Sequence, residues 1–572
     1  MSTTRFFTGA SLVLLAGNQV AALQSKNSAP PMAAVDVAVD RSCLPTGAYR
    51  QKLDNMMDLQ YHGRLQLGSQ EIRGIIDTGS FELVVFSKSC STCGKAAAFD
   101  EKSSSTFING NHSTVHSYGS GSCMSTDGWD EVNLACLGAR SQSMWLAQQC
   151  QMPALMVANF NAIVGVGPPG QPEYMARAQL DQLAETEAQM AKEGKPVPDQ
   201  LKEVKSKLQV MLDDALSKPA LLSTFGMKTF SQCLGKQQGA PGYMVWNDIT
   251  RADRPETKRI HVAGNITWGI QIEEVAFAMP DGAVLPFGCE KGCGAVVDTG
   301  TSLMAVPTSA YKGAIQVLQQ NAGAGDCSDL SKFPDLVVKL NGHSFRLPPS
   351  SYLGTLEGSM MSETARFMHL NSLTEPNENQ TAAVPNDAIP KKAEQDATMH
   401  AVVEAAKAAA QAAASAAAAA TDASSAAEMA AGAAKAAAGA AAAAAHAAAS
   451  AAAVAAGQPM PEGAPQQQPT PKSSNQCQLL MMDLGEKNTP LGPMFILGMP
   501  WFRQFYTTFD LGSGRGDRNI YVTPAGDTCD PDEVKTGAVK AYRRTEAFTP
   551  RHLDASKIRG PRWLDGLPDG AF

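Results

Sequence analysis

The stretch Ala295-Val-Val-Asp298-Thr-Gly-Thr-Ser-Leu303 predicts a buried strand that ends in an aspartate and a tight turn. Val296 and Val297 are β-branched and favour a strand, and Gly300 permits backbone angles that other residues avoid. The pattern occurs a second time as Gly74-Ile-Ile-Asp77-Thr-Gly-Ser80, 221 positions earlier (298 − 77). One such triplet is usually only a turn. Two copies, each after paired apolar residues, predict two similar lobes that each supply one aspartate to a shared site.

Further segments extend this pattern at residues 99–107, 118–122, 162–165, 495–498 and 505–510. They resemble segments of pepsin-like aspartic endopeptidases. Residues 99–107 resemble the loop before the flap, and residues 118–122 resemble the flap tip. Residues 162–165 and 495–498 resemble the two apolar-apolar-Gly strands, and residues 505–510 resemble the C-terminal lobe ending. The resemblance spans roughly residues 60 to 525, apart from two inserts. It implies an all-β (mainly β), bilobal fold with a central cleft, and hydrolysis of peptide bonds in extended polypeptides without a cofactor.

The resemblance also implies the roles of individual residues. Asp77 and Asp298 are the expected catalytic pair, which holds one proton because like charges so close do not both ionise easily. The ionised carboxylate takes a proton from a water that attacks the carbonyl, and the protonated carboxyl hydrogen-bonds the carbonyl oxygen. Tyr118 and Gly119 are expected on the flap over the substrate. The residues expected to support the two loops are Thr78, Gly79, Ser80, Thr299, Gly300 and Thr301.

Three positions depart from the family pattern. Val84 stands where a tryptophan usually hydrogen-bonds the flap tyrosine, so the flap is expected to be positioned differently. Asn161 replaces an aspartate before the first apolar-apolar-Gly strand, and Met499 replaces an acidic residue after the second. Fewer carboxylates near the pair predict an acidic optimum that is less acidic than usual.

Composition and charge limit the function and the compartment. The net charge of −8 and pI near 5.7 give no case for nucleic-acid binding. The 12 cysteines suit an oxidising compartment. Residues 1–22 read as a signal peptide, with an uncleaved anchor as the alternative, and no other stretch is apolar enough to cross a bilayer. We expect a monomer in a secreted or endomembrane lumen, vacuole-like or lysosome-like, with polypeptide substrates.

The remaining chain divides into four regions. Residues 23–56 form a short extension that is poor in basic residues, so its action as an inhibitory pro-segment is doubtful. Residues 57–250 are expected to form the N-terminal lobe and 251–526 the C-terminal lobe. Residues 527–572 form a basic tail, for which a disordered extension is the default interpretation and an electrostatic interaction tail the alternative.

Two inserts interrupt the lobes. Residues 171–218 show leucine and valine at helical spacing with prolines in the middle, which predicts a helical hairpin on the first lobe. Residues 357–474 include a nearly all-alanine middle that favours helix but cannot build a core. We interpret this second insert as a low-complexity surface loop, and as a hypothesis it is a site of proteolytic processing.

Cysteines and sequons suggest modifications. By resemblance, Cys90 pairs with Cys93 and Cys289 with Cys293, and Cys327 is expected to pair with Cys477 across the second insert. A bridge between Cys43 and Cys529 is a further hypothesis, since the family's interlobe sheet brings the two chain ends together. A zinc site at the Cys90-x-x-Cys93 motif is a weak alternative, because a second ligand pair is missing. No pairing is predicted for Cys123, Cys136, Cys150 and Cys233, and the glycosylation candidates are Asn111, Asn265 and Asn379.

Two rival functions remain open from the sequence. The chain can be a catalytically silent, aspartic-protease-like binding protein, although both aspartates and both adjacent glycines are intact. Alternatively, the alanine-rich insert makes it a scaffold or structural component.

Overall fold

The computed structural model describes residues 43–44, 46–321, 327, 329–365, 367–368, 477–530 and 550–562. The predicted signal peptide, almost all of the alanine-rich insert and the Asn379 sequon lie outside the described residues. Up to residue 250 the strands are β1 (Tyr49–Met56), β2 (Gln60–Leu67), β3 (Gln70–Asp77), β4 (Leu83–Phe86), β5 (Ile108–Tyr118), β6 (Gly121–Asn133), β7 (Ala139–Gln151), β8 (Ala162–Gly165), β9 (Thr229–Leu234) and β10 (Gly242–Trp246).

The second half is also mainly β. Its strands are β11 (Lys258–His261), β12 (Gly269–Ile272), β13 (Glu274–Ala278), β14 (Val284–Gly288), β15 (Cys293–Val297), β16 (Met304–Val306), β17 (Asp335–Leu340), β18 (His343–Leu347), β19 (Leu353–Glu357), β20 (Gln478–Leu479), β21 (Met481–Asp483), β22 (Asn488–Thr489), β23 (Gly492–Leu497), β24 (Phe505–Asp510), β25 (Asn519–Pro524) and β26 (Arg551–Asp554). The helices are α1 (Gln171–Lys192), α2 (Asp199–Ser217), α3 (Leu221–Thr224), α4 (Thr308–Asn321), α5 (Ser362–Ala365) and α6 (Met499–Gln504).

The same three-strand unit occurs twice, once behind each aspartate. Strand β3 pairs in parallel with β8, which pairs antiparallel with β4. Strand β15 pairs in parallel with β23, which pairs antiparallel with β16. Strand β15 is buried throughout, and the last four residues of β3, which lead into the Asp77 loop, are buried as well. The predicted mostly β, two-lobed pattern is therefore present in the structure.

A large sheet connects the two halves of the chain. Its order is β11-β25-β24-β9-β10-β1-β2-β3-β8-β4-β7-β6-β5, so strands from beyond residue 500 pair with strands of the first lobe. The contact is made by β24 and β9, where Phe509 stacks on Phe230 with ring centroids 4.8 Å apart. This pairing fixes the two aspartate-bearing units relative to each other.

The first insert is a helical hairpin of α1 and α2, which leaves the first lobe after β8 and returns before α3. Leu208 and Leu212 of α2 are buried, and Lys205 bridges to Glu187 of α1 at 2.6 Å. Within the described part of the chain, no helix is both long and apolar enough for a membrane span.

The 12 cysteines form six disulfides, which are Cys43–Cys136, Cys90–Cys93, Cys123–Cys150, Cys233–Cys529, Cys289–Cys293 and Cys327–Cys477. The hypothesis of a Cys43–Cys529 bridge is wrong. Cys43 turns back onto β1, where it forms an isolated bridge with Tyr49, so it meets Cys136 instead. Cys529 follows β25 in the large sheet and reaches Cys233 of β9.

Part of the basic tail is ordered, contrary to the default interpretation of a disordered extension. Strand β26 pairs in parallel with β19, and Arg551 forms a buried ion pair of 2.8 Å with Asp58. Leu553 and Ile558 join a core cluster of the second lobe. The tail segment, which we define as residues 551–562, is thus an integral part of the fold.

Candidate active site

The two aspartate loops have the same hydrogen-bond pattern. Asp77 ends β3, and its Oδ1 accepts from the Gly79 amide at 2.9 Å while its Oδ2 accepts from the Ser80 hydroxyl at 2.5 Å. Asp298 follows β15, and its two carboxyl oxygens accept from the corresponding groups of Gly300 at 2.7 Å and Thr301 at 2.5 Å. Each carboxyl is therefore held in one orientation by its own loop.

Four hydrogen bonds join the loops to each other through two threonines. The Thr78 amide donates to Thr299 Oγ1 at 3.0 Å, and the Thr299 amide donates to Thr78 Oγ1 at 2.9 Å. Each hydroxyl then donates across the lobes, Thr78 to the Val297 carbonyl at 2.8 Å and Thr299 to the Ile76 carbonyl at 2.7 Å. The structure places the predicted loop-support residues in one buried network.

Gly79 and Gly300 each lie directly against the carboxyl group of the opposite loop. A Cβ atom on Gly79 would be 2.9 Å from the Asp298 carboxyl. A Cβ atom on Gly300 would overlap the Asp77 carboxyl even more closely. Side chains at these positions would therefore push the two aspartates apart, which explains why both loops need glycine.

The electrostatics of the pair are those of two buried carboxyls in contact. Asp77 and Asp298 are 3% and 1% exposed. Burial, followed by the neighbouring Asp77 charge, raises the pKa of Asp298 above its ordinary value. Asp298 can thus keep a proton where an isolated aspartate would have lost it.

The flap is the hairpin of β5 and β6, in which Tyr118 pairs with Gly121. Gly119 and Ser120 form its buried tip. Burial raises the pKa of Tyr118 above its ordinary value, and its hydroxyl has no hydrogen-bond partner among the described residues. Val84 lies in the same buried apolar cluster as Tyr118.

The tail segment passes between the flap and the aspartate loops. The Arg559 amide donates to the Ser302 hydroxyl at 2.9 Å, and the Ser302 amide donates to the Arg559 carbonyl at 3.1 Å. Arg559 is 5% exposed, and burial lowers the pKa of its guanidinium group, while the charges of Asp77 and Asp298 oppose this shift. Lys557 Nζ donates to the Val157 carbonyl at 3.1 Å. Sequence reasoning missed these contacts, although the tail's basic residues were the available signal.

The structure also shows the surroundings of the zinc alternative and of two glycosylation candidates. Cys90 and Cys93 form a disulfide, so neither supplies a thiolate to the zinc alternative. Asn111 is exposed on β5. Asn265 is half-buried, and its amide donates to the Tyr174 hydroxyl at 3.1 Å.

Two paired aspartate loops thus lie beneath a hairpin flap. A profile of the family described as Eukaryotic aspartyl protease matches residues 60–193 and 204–381, and the chain belongs to this family. By family it is an aspartic-type endopeptidase.

Several named proteins are similar to this chain. Pepsin A of Gallus gallus is 28% identical over 319 residues, which are 54% of this chain and 75% of that protein. Chymosin of Callithrix jacchus is 28% identical over 322 residues, 54% of this chain and 72% of that protein. Gastricsin of Cavia porcellus is 28% identical over 310 residues, 52% of this chain and 68% of that protein. The disulfides fit an extracellular or lumenal protein.

Proposed function

We propose that Asp77 and Asp298 together hydrolyse peptide bonds of extended polypeptides. The observation that carries this proposal is the close approach of the two carboxyls: each is fixed by its own loop, lies against the glycine of the other loop, and Asp298 interacts directly with Asp77. A binding protein without catalysis does not need two buried carboxyls in contact, which destabilise its fold. This contact favours the enzyme over the silent binding protein.

The reaction needs one proton shared by the pair. The ionised carboxyl removes a proton from a water molecule, and the water oxygen attacks the peptide carbonyl. The protonated carboxyl hydrogen-bonds the carbonyl oxygen, and its proton stabilises the tetrahedral intermediate. The carboxyl that received the water proton then protonates the nitrogen as the C–N bond breaks, which restores its ionised form. The apparent pKa values belong to the pair rather than to Asp77 or Asp298 separately.

The flap and the threonines have supporting roles in this proposal. Tyr118 covers the substrate, and its free hydroxyl is available to the substrate backbone. Thr78 and Thr299 hold the loops across the lobes. A substrate that reaches both aspartates must displace the tail segment at Arg559.

We further propose an acidic optimum and a secretory or endomembrane lumen as the working compartment. A carboxyl pair that shares one proton is active only at pH values where that proton is retained, so we expect the highest activity at acidic pH. The predicted signal peptide and the six disulfides support the lumen. We expect the protein to act as a monomer.

The test is cleavage of an unfolded protein between about pH 3 and 6, which brackets ordinary carboxyl pKa values, with wild type compared to Asp77→Asn and Asp298→Asn. Loss of cleavage in both variants, and inhibition of wild type by a statine-type transition-state mimic, would support the enzyme. A folded wild type that binds the mimic but never cleaves would favour the silent binding protein. Deletion of residues 357–474 tests the scaffold alternative, since unchanged cleavage and localisation would leave the insert without that role.

A further inference from the structure

A third carboxylate lies in the cleft outside the catalytic pair. Glu82 follows the Asp77 loop directly, between that loop and β4. Its Oε2 forms an ion pair of 3.2 Å with Arg562 of the tail segment, and the two side chains are 19% and 12% exposed. Burial acts to raise the pKa of Glu82, but Arg562 and His116 hold it below its ordinary value. The carboxylate is therefore built to stay charged in a buried place.

Two aromatic rings complete the surroundings of the guanidinium group. The Arg562 guanidinium carbon is 4.8 Å from the Phe81 ring centroid and 5.7 Å from the Tyr118 ring centroid. A planar cation gains from contact with aromatic faces as well as from a carboxylate. The flap and the loop after Asp77 together provide both kinds of contact, which suits arginine better than any apolar side chain.

The peptide that delivers this arginine runs along the cleft past the catalytic pair. Both the amide and the carbonyl of Arg559 form hydrogen bonds with Ser302, which lies next to the Asp298 loop. Gly560 and Pro561 are buried, and Arg562 follows at Glu82, next to the Asp77 loop. The segment therefore shows how a peptide that passes the pair can place an arginine side chain against Glu82.

The cleft has room beyond this point. Arg562 and Glu82 line a cavity of about 780 Å³, together with Met175 of α1 and Met211 of α2. The helical hairpin thus extends the cleft on the Glu82 side. A substrate whose arginine binds Glu82 has space for further residues there.

We propose that Glu82, Phe81 and Tyr118 form an arginine-binding subsite of the cleft, which selects polypeptide substrates that carry arginine at the corresponding position. In the described state the chain's own Arg562 fills the subsite and competes with the substrate. This inference rests on the proposed function, because it assigns the specificity of the same cleft. Glu82 determines which polypeptides bind and takes no part in the proton transfers.

The test uses pairs of peptides that differ only by arginine or its neutral isostere citrulline, with the exchanged position moved along the peptide. The full chain carries Arg562→Ala, which vacates the subsite, alone or with Glu82→Gln. A matched control combines Arg562→Ala with Glu71→Gln, since Glu71 is an exposed glutamate paired with Arg64 outside the cleft. Both peptide binding, by fluorescence anisotropy in an Asp298→Asn background, and kcat/KM for cleavage are measured.

At one peptide position, we expect arginine to be preferred over citrulline by about tenfold or more in binding and in kcat/KM, because a buried carboxylate left without its partner is unfavourable. The preference should vanish with Glu82→Gln and persist with Glu71→Gln. Equal binding of both peptides at every position, or a preference that survives Glu82→Gln, would overturn the subsite. Absence of cleavage alone would count against the proposed function, since the binding measurement does not depend on turnover.

Discussion

The Asp77 loop and the Asp298 loop have the same internal hydrogen bonds but different surroundings. In each loop the aspartate accepts from the glycine amide two positions on and from the hydroxyl three positions on. After these shared residues the loops diverge. Glu82 follows the first loop and binds a guanidinium group, whereas Ser302 follows the second loop and binds the backbone of the tail segment. The repeated motif thus gives the two aspartates the same hydrogen bonds. The residues that follow each motif determine which groups of the tail segment bind beside the aspartate pair.

The largest effect is expected from a charge-neutral change in either aspartate. Asp77→Asn or Asp298→Asn removes one carboxyl of the pair, so kcat/KM should fall by about a thousandfold or more in both variants. Steady-state cleavage of one peptide measures this loss. Asp54→Asn is the matched control, because Asp54 forms a partly exposed ion pair with Arg64 and lies outside the two aspartate loops. A large loss in one aspartate variant only would mean that the loops are not equivalent in function.

A smaller but still substantial effect is expected from a methyl group at the loop glycines. Gly300→Ala and Gly79→Ala each place a Cβ against the opposite carboxyl. We expect each variant to lower the free energy of unfolding by about 1–3 kcal/mol. We also expect kcat to fall, with a smaller change in KM. Gly300→Ala should be the more severe, since its Cβ overlap is closer. Gly514→Ala is the control, because a Cβ at Gly514 meets nothing within 4 Å, and an equal loss there would remove the steric explanation.

The threonine network predicts a coupling between the lobes. Thr78→Val and Thr299→Val each remove a hydroxyl that both accepts and donates across the interface. Each should lower the free energy of unfolding by about 1–3 kcal/mol, because buried partners are left unpaired. Chemical denaturation of both single variants and the double variant measures the coupling. Simple additivity of the two losses would show that the threonines do not act as one network.

The smallest effect is on stability in acid and involves His62 on β2. Burial, then the charge of Arg559, lowers the pKa of His62 to about 4, whereas Asp54 opposes and Arg73 assists this shift. The folded state therefore favours neutral histidine, and stability is lost as pH falls from about 6.5 toward about 4. His62→Gln should flatten this part of the melting temperature–pH curve. The exposed His261→Gln is the control, and an unchanged slope in the His62 variant would contradict the expectation.

The site was largely predictable from the sequence because its signal is local and doubled. The two aspartate triplets, each after β-branched residues, indicated paired strands and a shared site. The tail segment was not predictable, because its partners lie hundreds of positions away; the Arg559 amide and the Ser302 hydroxyl are separated by 257 positions. Only the fold brings them together. The same reason explains the wrong Cys43–Cys529 hypothesis, since a local turn onto Tyr49 redirects Cys43.

The most direct test of the central claim, one proton shared by Asp77 and Asp298, is kcat/KM measured against pH. Two coupled carboxyls predict a bell-shaped profile whose upper limb lies above the ordinary aspartate range, because burial and the Asp77 charge raise the pKa of Asp298. Asp77→Asn and Asp298→Asn should have no measurable profile. A wild-type profile with only one limb, or a bell-shaped profile that survives in either asparagine variant, would contradict the claim.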